Sequence, residues 1–228
     1  MSDRTLSSLN SLGSARLLSD TTIRWIQALS PVMRRLKSVL FLSFVYVREL
    51  STDNTFELPS HLTVRTPSKQ ELLDACDQRG RIRGLGLQAD WVEHALSRGD
   101  TCFAAFDGGQ MVGYTWRTST TGSHVQGIQI DTPAGYLYAY KGFVKKEYRG
   151  QRINQAILSH ADKASIEQGY RQSVAFVETH NNASMASTRR KRNLVFVGLA
   201  GYFTICGRVL PFRDAATKRL GFRFIAPR

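Results

Sequence analysis

The residues from Val144 to Asn154, which read Val-Lys-Lys-Glu-Tyr-Arg-Gly-Gln-Arg-Ile-Asn, have the types and order needed to hold a phosphate. Lys145, Lys146, Arg149 and Arg152 supply charge, and Gly150 lets an anion approach the backbone. Ile153 opens a helical segment whose first turn presents N–H groups and the positive end of the peptide dipoles. On spacing alone two readings stay open: a phosphate-binding turn, and a solvated basic turn in a basic protein. Glu178 and His180 stand at the end of a strand-like segment, where either could take a proton directly or through water. A salt bridge and a loop cap are their structural alternatives. Tyr138 and Tyr140 alternate on one face of the segment before the turn, so they either line a site beside it or pack in a core.

Such residues need a strand that ends before the turn and a helix that begins after it. Tyr136 to Val144 is a strongly β-prone run, and Ile153 to Gln168 reads as a helix ended by Gly169. Arg171 to Thr179 is a second strand with an apolar centre, Val174 to Val177, so the turn lies inside a β-α-β unit. Upstream, Phe41 to Leu50 and His61 to Thr66 have strand composition, and Ser68 with Glu71 forms a capping box for a helix through Cys76. Asp90 to Ser97 starts another helix, after a Gly- and Arg-rich loop over Arg79 to Gly86. Thr101 to Phe106 and Met111 to Arg117 flank an Asp107-Gly108-Gly109 turn as a hairpin. Residues 118–135 read as a polar loop with an alternating middle, Val125 to Ile130. Asn181 to Arg192 is a short helix, followed by strand-like sequence from Leu194 to Leu210 and a last piece through Phe224.

Near the start, Ile23, Ile26, Leu29, Met33, Leu36 and Leu40 recur close to helical spacing, and Ser30-Pro31 restarts a helix within that stretch. Arg34, Arg35 and Lys37 lie off the stripe. This basic amphipathic helix either touches a membrane surface or packs on the domain with a solvated basic side. The expected division is an N-terminal extension over residues 1–58 and a single α/β domain over residues 59–228.

Charge narrows the partners. The chain has 228 residues, 31 Lys and Arg against 18 Asp and Glu, and a formal charge of +13. Residues 141–228 hold seventeen basic and five acidic groups, so that segment accounts for +12 of the surplus. A nucleotide cofactor, nucleic acid or an acidic membrane face would each answer it. Arg189-Arg-Lys-Arg192 gives nucleic acid some weight, but no RNA-binding aromatic motif or DNA-binding helix pattern accompanies it, and the phosphates of a cofactor rank above it. With 42% hydrophobic residues the chain can bury a core, which excludes wholesale disorder. Cys76, Cys102 and Cys206 are odd in number and lack metal-ligand spacing, which points to a reducing cytoplasm and to no metal. Val39 to Val47, an uncharged and mostly apolar run, is too short for a bilayer span of about 20 residues. No signal peptide pattern fits residues 1–35.

Phe143 to Asn154 resembles the signature of the GNAT superfamily of N-acetyltransferases, V-x-P-E-Y-R-G-x-G-I-G. Val144, Glu147, Tyr148, Arg149, Gly150 and Ile153 match it, while Lys146 replaces the proline and Arg152 and Asn154 replace glycines. Asn181-Asn-Ala-Ser184 is similar to the family's N-x-x-S landmark, and Lys191-Arg-Asn193-Leu194 to a degraded form of its next turn. Gly113-Tyr-Thr-Trp116 resembles a bacterial GNAT-like subgroup that carries a short N-terminal extension. The resemblance, over roughly residues 60–210, implies an α/β fold with a GNAT-like mixed, mostly antiparallel twisted sheet, flanking helices and a central parallel β-α-β acyl-CoA-binding unit. It also implies a cytoplasmic bacterial acyltransferase.

What the resemblance implies for the site can be assigned residue by residue. Backbone N–H groups around Phe143 and Val144 hold the pantetheine of acetyl-CoA and polarise its carbonyl. Arg149, Gly150, Gln151, Arg152, Ile153 and Asn154 hold the pyrophosphate, and Asn181 and Ser184 are further cofactor-binding residues. Acceptor amine enters near Arg171 to Thr179. An alkylamine with a pKa near 10 costs about 4 kcal/mol to deprotonate at neutral pH, so a base is required; Glu178 is the first candidate. Tyr140 is a candidate at the acceptor site. Where many relatives carry a tyrosine acid this chain has Arg189, which leaves Ser184 as the candidate for thiolate protonation. Two alternatives share these residues: transfer from a longer acyl donor, and a non-catalytic module that binds acyl-CoA, another anion or nucleic acid.

Overall fold

The computed structural model describes residues 40–52, 58–77, 84–189 and 194–226. The amphipathic stretch before Leu40, residues 79–83 of the basic loop, and Arg190 to Asn193 lie outside the described residues. In chain order the elements are β1 (Leu40–Glu49), β2 (Leu62–Arg65), α1 (Lys69–Asp74), α2 (Ala89–Ser97), β3 (Thr101–Asp107), β4 (Gln110–Thr118), β5 (Gly122–Ser123), β6 (Gln129–Asp131), β7 (Tyr136–Val144), α3 (Ile153–Glu167), β8 (Gln172–Glu178), α4 (Asn182–Arg189), β9 (Leu194–Ile205), β10 (Arg208–Arg213), α5 (Ala215–Leu220) and β11 (Arg223–Ile225). They divide into two units.

One unit, Leu50–Thr120 with Gly135–Ser173, is built on strands in the order β7-β4-β3-β2, all paired antiparallel. Alternation along β3 sends Ala104 and Phe106 to one face and Phe103 and Ala105 to the other. The first face is covered by α1 and α2 through Leu72, Val92 and Ala95, packed with Leu85, Leu87, Tyr114 and Trp116. The expected capping box starts α1: Ser68 Oγ accepts from Glu71 N–H, and the Glu71 carboxylate accepts from Ser68 N–H. The second face is covered by α3, whose Ile153, Ile157 and Ala161 pack on Leu62, Phe103, Ala105 and Val112. A Cβ on Gly113 would stand 3.0 Å from the Phe143 carbonyl oxygen and 3.3 Å from Ile157 Cδ1, so glycine here lets β7 and α3 close onto β4.

One buried ion pair joins α3 to the sheet. Arg117 on β4 donates to Asp162, to the Ala161 carbonyl at 2.8 Å and to Ser165 Oγ at 2.7 Å, with both charged side chains 2% exposed.

In the other unit the strands run β10-β9-β1-β8, and β5, β6 and β11 form a small separate sheet. β1 pairs antiparallel with β9 from Leu40↔Phe203 to Arg48↔Leu194, so the strand-like segment placed in the N-terminal extension is an internal strand of this sheet. Phe41, Phe176, Tyr202 and Phe224 pack around His124 on one side of it, while Phe44, Tyr46 and Met185 of α4 pack on the other. The stretch 118–135, expected as loop, supplies β5 and β6, because Phe224 and Ile130 pair across β11 and β6 and bury both side chains. Strand-like sequence ending at Leu210 divides at Cys206-Gly207 into β9 and β10.

Candidate active site

Tertiary pairing fixes the basic turn at three points. β7 ends at Val144, and Lys145 N–H then donates to the Val112 carbonyl at 2.9 Å. A single 3-10 turn, Lys146–Tyr148, follows, and Tyr148 donates its hydroxyl to Asp107 Oδ2 at 2.7 Å, which holds the turn to the β3–β4 hairpin. That bond to a carboxylate also raises the Tyr148 pKa. Ile153 closes the turn from below, fully buried in the core beneath α3, so its backbone alone faces the turn.

Between these anchors the backbone opens. Gly150 has φ +86, and a Cβ there would meet nothing within 4 Å. Arg152, the N-cap of α3, is also left-handed at φ 59, and no side chain caps the helix. An L-residue in that region costs roughly 1–2 kcal/mol, so Arg152 adopts the shape of the family's glycine at a conformational cost. The first amides of a 15-residue helix are thereby left to an external acceptor. Arg149, Gly150, Gln151 and Arg152 are all exposed around that opening, and Arg149 Nε donates to the Val144 carbonyl at 3.2 Å, which holds its guanidinium over the end of β7. Asn154 lies in the first turn of α3. The donor set therefore suits a pyrophosphate: backbone N–H groups, the positive end of a helix and exposed cations.

β7 carries a second feature. Its pairing with β4 runs Tyr114↔Phe143 and then Trp116↔Tyr140, so β7 contains one residue more than β4 across this interval. Lys141, at φ 49, takes up that bulge. The bulge withdraws part of the β7 backbone from the ladder just before Phe143 and Val144, and it turns Tyr138, Tyr140 and Phe143 to one side despite their uneven spacing. Phe143 stacks on Tyr114 with ring centroids 6.1 Å apart. Lys141 places its ammonium 3.6 Å from the centre of the Trp91 ring, and burial lowers its pKa.

Tyr140, a sequence candidate, donates its hydroxyl to Asp100, which also pairs with Arg98. Burial and that bond both push the phenol pKa upward. Its hydroxyl proton, kept on the phenol, is therefore directed at a buried carboxylate rather than toward a ligand. Tyr138 is buried and stacks on Tyr140 with centroids 5.0 Å apart.

In the other unit, Glu178 Oε2 lies 2.9 Å from His180 Nε2, with side-chain exposures of 36% and 19%. A carboxylate and an imidazole in contact, partly open to solvent, can pass a proton. The Glu178 charge also acts on Tyr202 of β9, whose pKa is pushed up to about 12, chiefly by burial. Asn181 explains the N-x-x-S spacing: its Oδ1 accepts from Ser184 N–H at 3.0 Å and its carbonyl from Met185 N–H at 2.9 Å, so it caps α4. Its amide NH₂ remains to donate, and Ser184 is half-buried at the third position of the helix. Sequence reasoning passed over Asp107, Lys141 and Asp100; the positive φ of Lys141 and the long-range partners of the two aspartates leave no mark in a local pattern. Among the described residues no group of three or more His, Cys, Asp and Glu side chains could hold a metal ion.

The chain belongs to the acetyltransferase (GNAT) family, whose model matches residues 68–191. Its mixed, mostly antiparallel sheets with few flanking helices are a GNAT-like fold, and family members bind acyl-CoA and an acceptor substrate. No curated protein matches the chain. Among solved structures, a functionally unknown conserved protein from Staphylococcus epidermidis aligns at TM-score 0.43 and 14% identity, covering 76% of this chain and 64% of that one. This chain thus spans less than two thirds of that protein's length. An aminoglycoside acetyltransferase from an uncultured soil metagenomic sample, in complex with trehalose, aligns at TM-score 0.43 and 12% identity over 60% of this chain and 90% of that one. AAC(6')-Iy in complex with the bisubstrate analogue CoA-S-monomethyl-acetylneamine aligns at TM-score 0.43 and 18% identity over 57% of this chain and 88% of that one.

Proposed function

We propose that this protein is an N-acetyltransferase that moves acetyl from acetyl-CoA to a primary amine of a small molecule or sugar by direct attack in a ternary complex. The observation that carries the reading is the uncapped N-terminus of α3, opened by left-handed Gly150 and Arg152 and ringed by exposed cations, in a chain of the GNAT family. Acetyl-CoA supplies a thioester, an acyl group already activated toward an amine. Arg149, Arg152 and the amides of Gln151 to Asn154 neutralise and orient the pyrophosphate. Backbone N–H groups of β7 from the bulge to Val144 orient the pantetheine and donate to the acyl oxygen.

The acceptor must lose a proton before it attacks. Glu178, held against His180, is assigned that task, and the two groups share the proton they receive. Asn181 donates its amide NH₂ to the donor substrate while it caps α4. Ser184 is the remaining hydroxyl for the departing thiolate; Tyr140 is given no part in proton transfer, because Asp100 holds its hydroxyl.

Calorimetric titration with acetyl-CoA, myristoyl-CoA and CoA tests the reading, followed by product detection with amino sugars, amino acids and polyamines. Binding of acetyl-CoA with amine-dependent release of CoA is the expected result. No heat with any of the three overturns the enzyme reading, tighter binding of the long chain overturns acetyl as the acyl group, and binding without turnover leaves an acyl-CoA-binding module.

A further inference from the structure

We propose that Lys141 selects the acceptor, and that the amine acetylated is one that also carries a carboxylate, as an amino acid does and a polyamine does not. The assignment rests on the acetyl transfer proposed above, in which β7 from its bulge to Val144 holds the acyl group, and it narrows the acceptor class of that same site. Lys141 and Gly142 are the only exposed residues of β7, and they stand at the bulge. At about 3.3 Å per residue, Lys141 Cα lies within about 7 Å of Phe143 Cα, a distance that a lysine side chain spans. An amine that attacks the acyl carbon therefore brings its other substituents within reach of the Lys141 ammonium.

The ammonium lies 3.6 Å from the centre of the Trp91 ring, and Trp91 on α2 is itself held edge-on by Trp116 and Tyr140, with centroids 5.0 and 6.1 Å away. A cation seated on an aromatic face keeps its outward N–H groups for an acceptor. Burial against the ring removes part of its hydration, so an arriving carboxylate has less water to displace. Among the described residues no carboxylate pairs with Lys141. Asp90 acts on it only from beyond ion-pair distance, and Asp100, bound to the neighbouring Tyr140, is taken by that hydroxyl and by Arg98. The phosphates of the donor do not call on Lys141 either. Thioester and pyrophosphate lie at opposite ends of the pantetheine arm, and Arg149, Arg152 and the α3 amides surround the opening beyond the end of β7. A carboxylate on the acceptor is attracted at the bulge, whereas the second ammonium of a polyamine is repelled there.

Steady-state acetyl transfer to amino acids, to their carboxamides and to the matching amines without a carboxylate tests the proposal, with lysine, lysinamide and cadaverine as one such set. The amino acid is expected to be used with a kcat/KM about tenfold or more above either analogue, most of the difference lying in KM. Lys141→Gln should remove that preference, Lys141→Glu should turn it toward cadaverine, and Lys141→Arg should keep it. Calorimetric affinity for acetyl-CoA should be unchanged in all three variants, which also reports an intact fold. Equal use of all three kinds of amine by the wild type, or turnover only of amines without a carboxylate, overturns the proposal and leaves acetyl transfer standing. So does a Lys141→Gln variant that slows every acceptor alike, which assigns Lys141 to the acyl group, or one that loses acetyl-CoA affinity, which assigns it to the donor. Acetyl-CoA binding with acetylation of no amine overturns the transfer and this selection together.

Discussion

Replacing Arg117 with Met should unfold the protein far more readily than its place outside the candidate site suggests. The side chain is 2% exposed and supplies hydrogen bonds to Asp162, Ser165 and the Ala161 carbonyl. Methionine fills much of the same volume but leaves the Asp162 carboxylate, also 2% exposed, without its cation. The Ser51 N–H, which also donates to this carboxylate at 3.4 Å, carries no charge to replace the guanidinium. Breaking a buried pair from one side costs about 3–5 kcal/mol, whereas replacing both partners by apolar groups is often neutral. For a chain of this size that predicts a Tm lower by about 6–20 °C in Arg117→Met. At least half of the loss should return in Arg117→Met with Asp162→Leu. Urea unfolding followed by tryptophan fluorescence measures both, with unchanged m values as the control for two-state behaviour. The pair sits about two to three turns from the N-terminus of α3, so CoA affinity of the double variant should stay within about twofold. A double variant as unstable as the single one, or a single variant that loses less than about 1 kcal/mol, would refute the uncompensated carboxylate as the cause.

Three further outcomes are expected. Arg149→Ala should weaken CoA binding about tenfold, the value of one charge-assisted hydrogen bond at an open site, and adding Gly150→Glu should abolish it; unchanged affinity in the double variant would mean that the pyrophosphate is held elsewhere. Glu178→Gln should lower acetyl transfer by about a hundredfold and shift its pH profile while leaving CoA binding intact, and an unaltered profile would dismiss Glu178 as the base. Burial among Phe41, Phe176 and Phe224 lowers the His124 pKa to about 4, below its unfolded value, so the stability tied to its neutral form is complete above about pH 6.5 and lost as the pH falls toward 4. That loss approaches about 3 kcal/mol, and acid unfolding of His124→Phe should show a shallower slope over this interval; an identical slope would place the sensitivity elsewhere.

The parts of the fold that announce themselves in the sequence are local ones. The limits of β7, the capping box at Ser68 and Glu71, and the glycine that ends α3 each depend on a few consecutive residues. The basic turn was legible for the same reason, since charge, glycine and helix start lie within eleven residues. β6 and β11 were not, because strands of three residues carry no periodic signal and exist only through each other. The bulge at Lys141 is set by the register against β4, and no residue in it is one that commonly announces a left-handed turn apart from the glycine that follows. The partner of Tyr140 lies forty residues away at Asp100, and that of Tyr148 forty-one away at Asp107, so a tyrosine read as an acceptor-site candidate and one read as a motif letter both turned out to have carboxylate partners.

The capping of α4 by Asn181 has a consequence for how this position can change over time. An aspartate would cap the helix equally well, yet it would offer a ligand only acceptors where asparagine offers a donor. Folding is therefore nearly indifferent to a replacement that reverses hydrogen-bond polarity, whereas the contact proposed between Asn181 and the donor substrate would lose its donor.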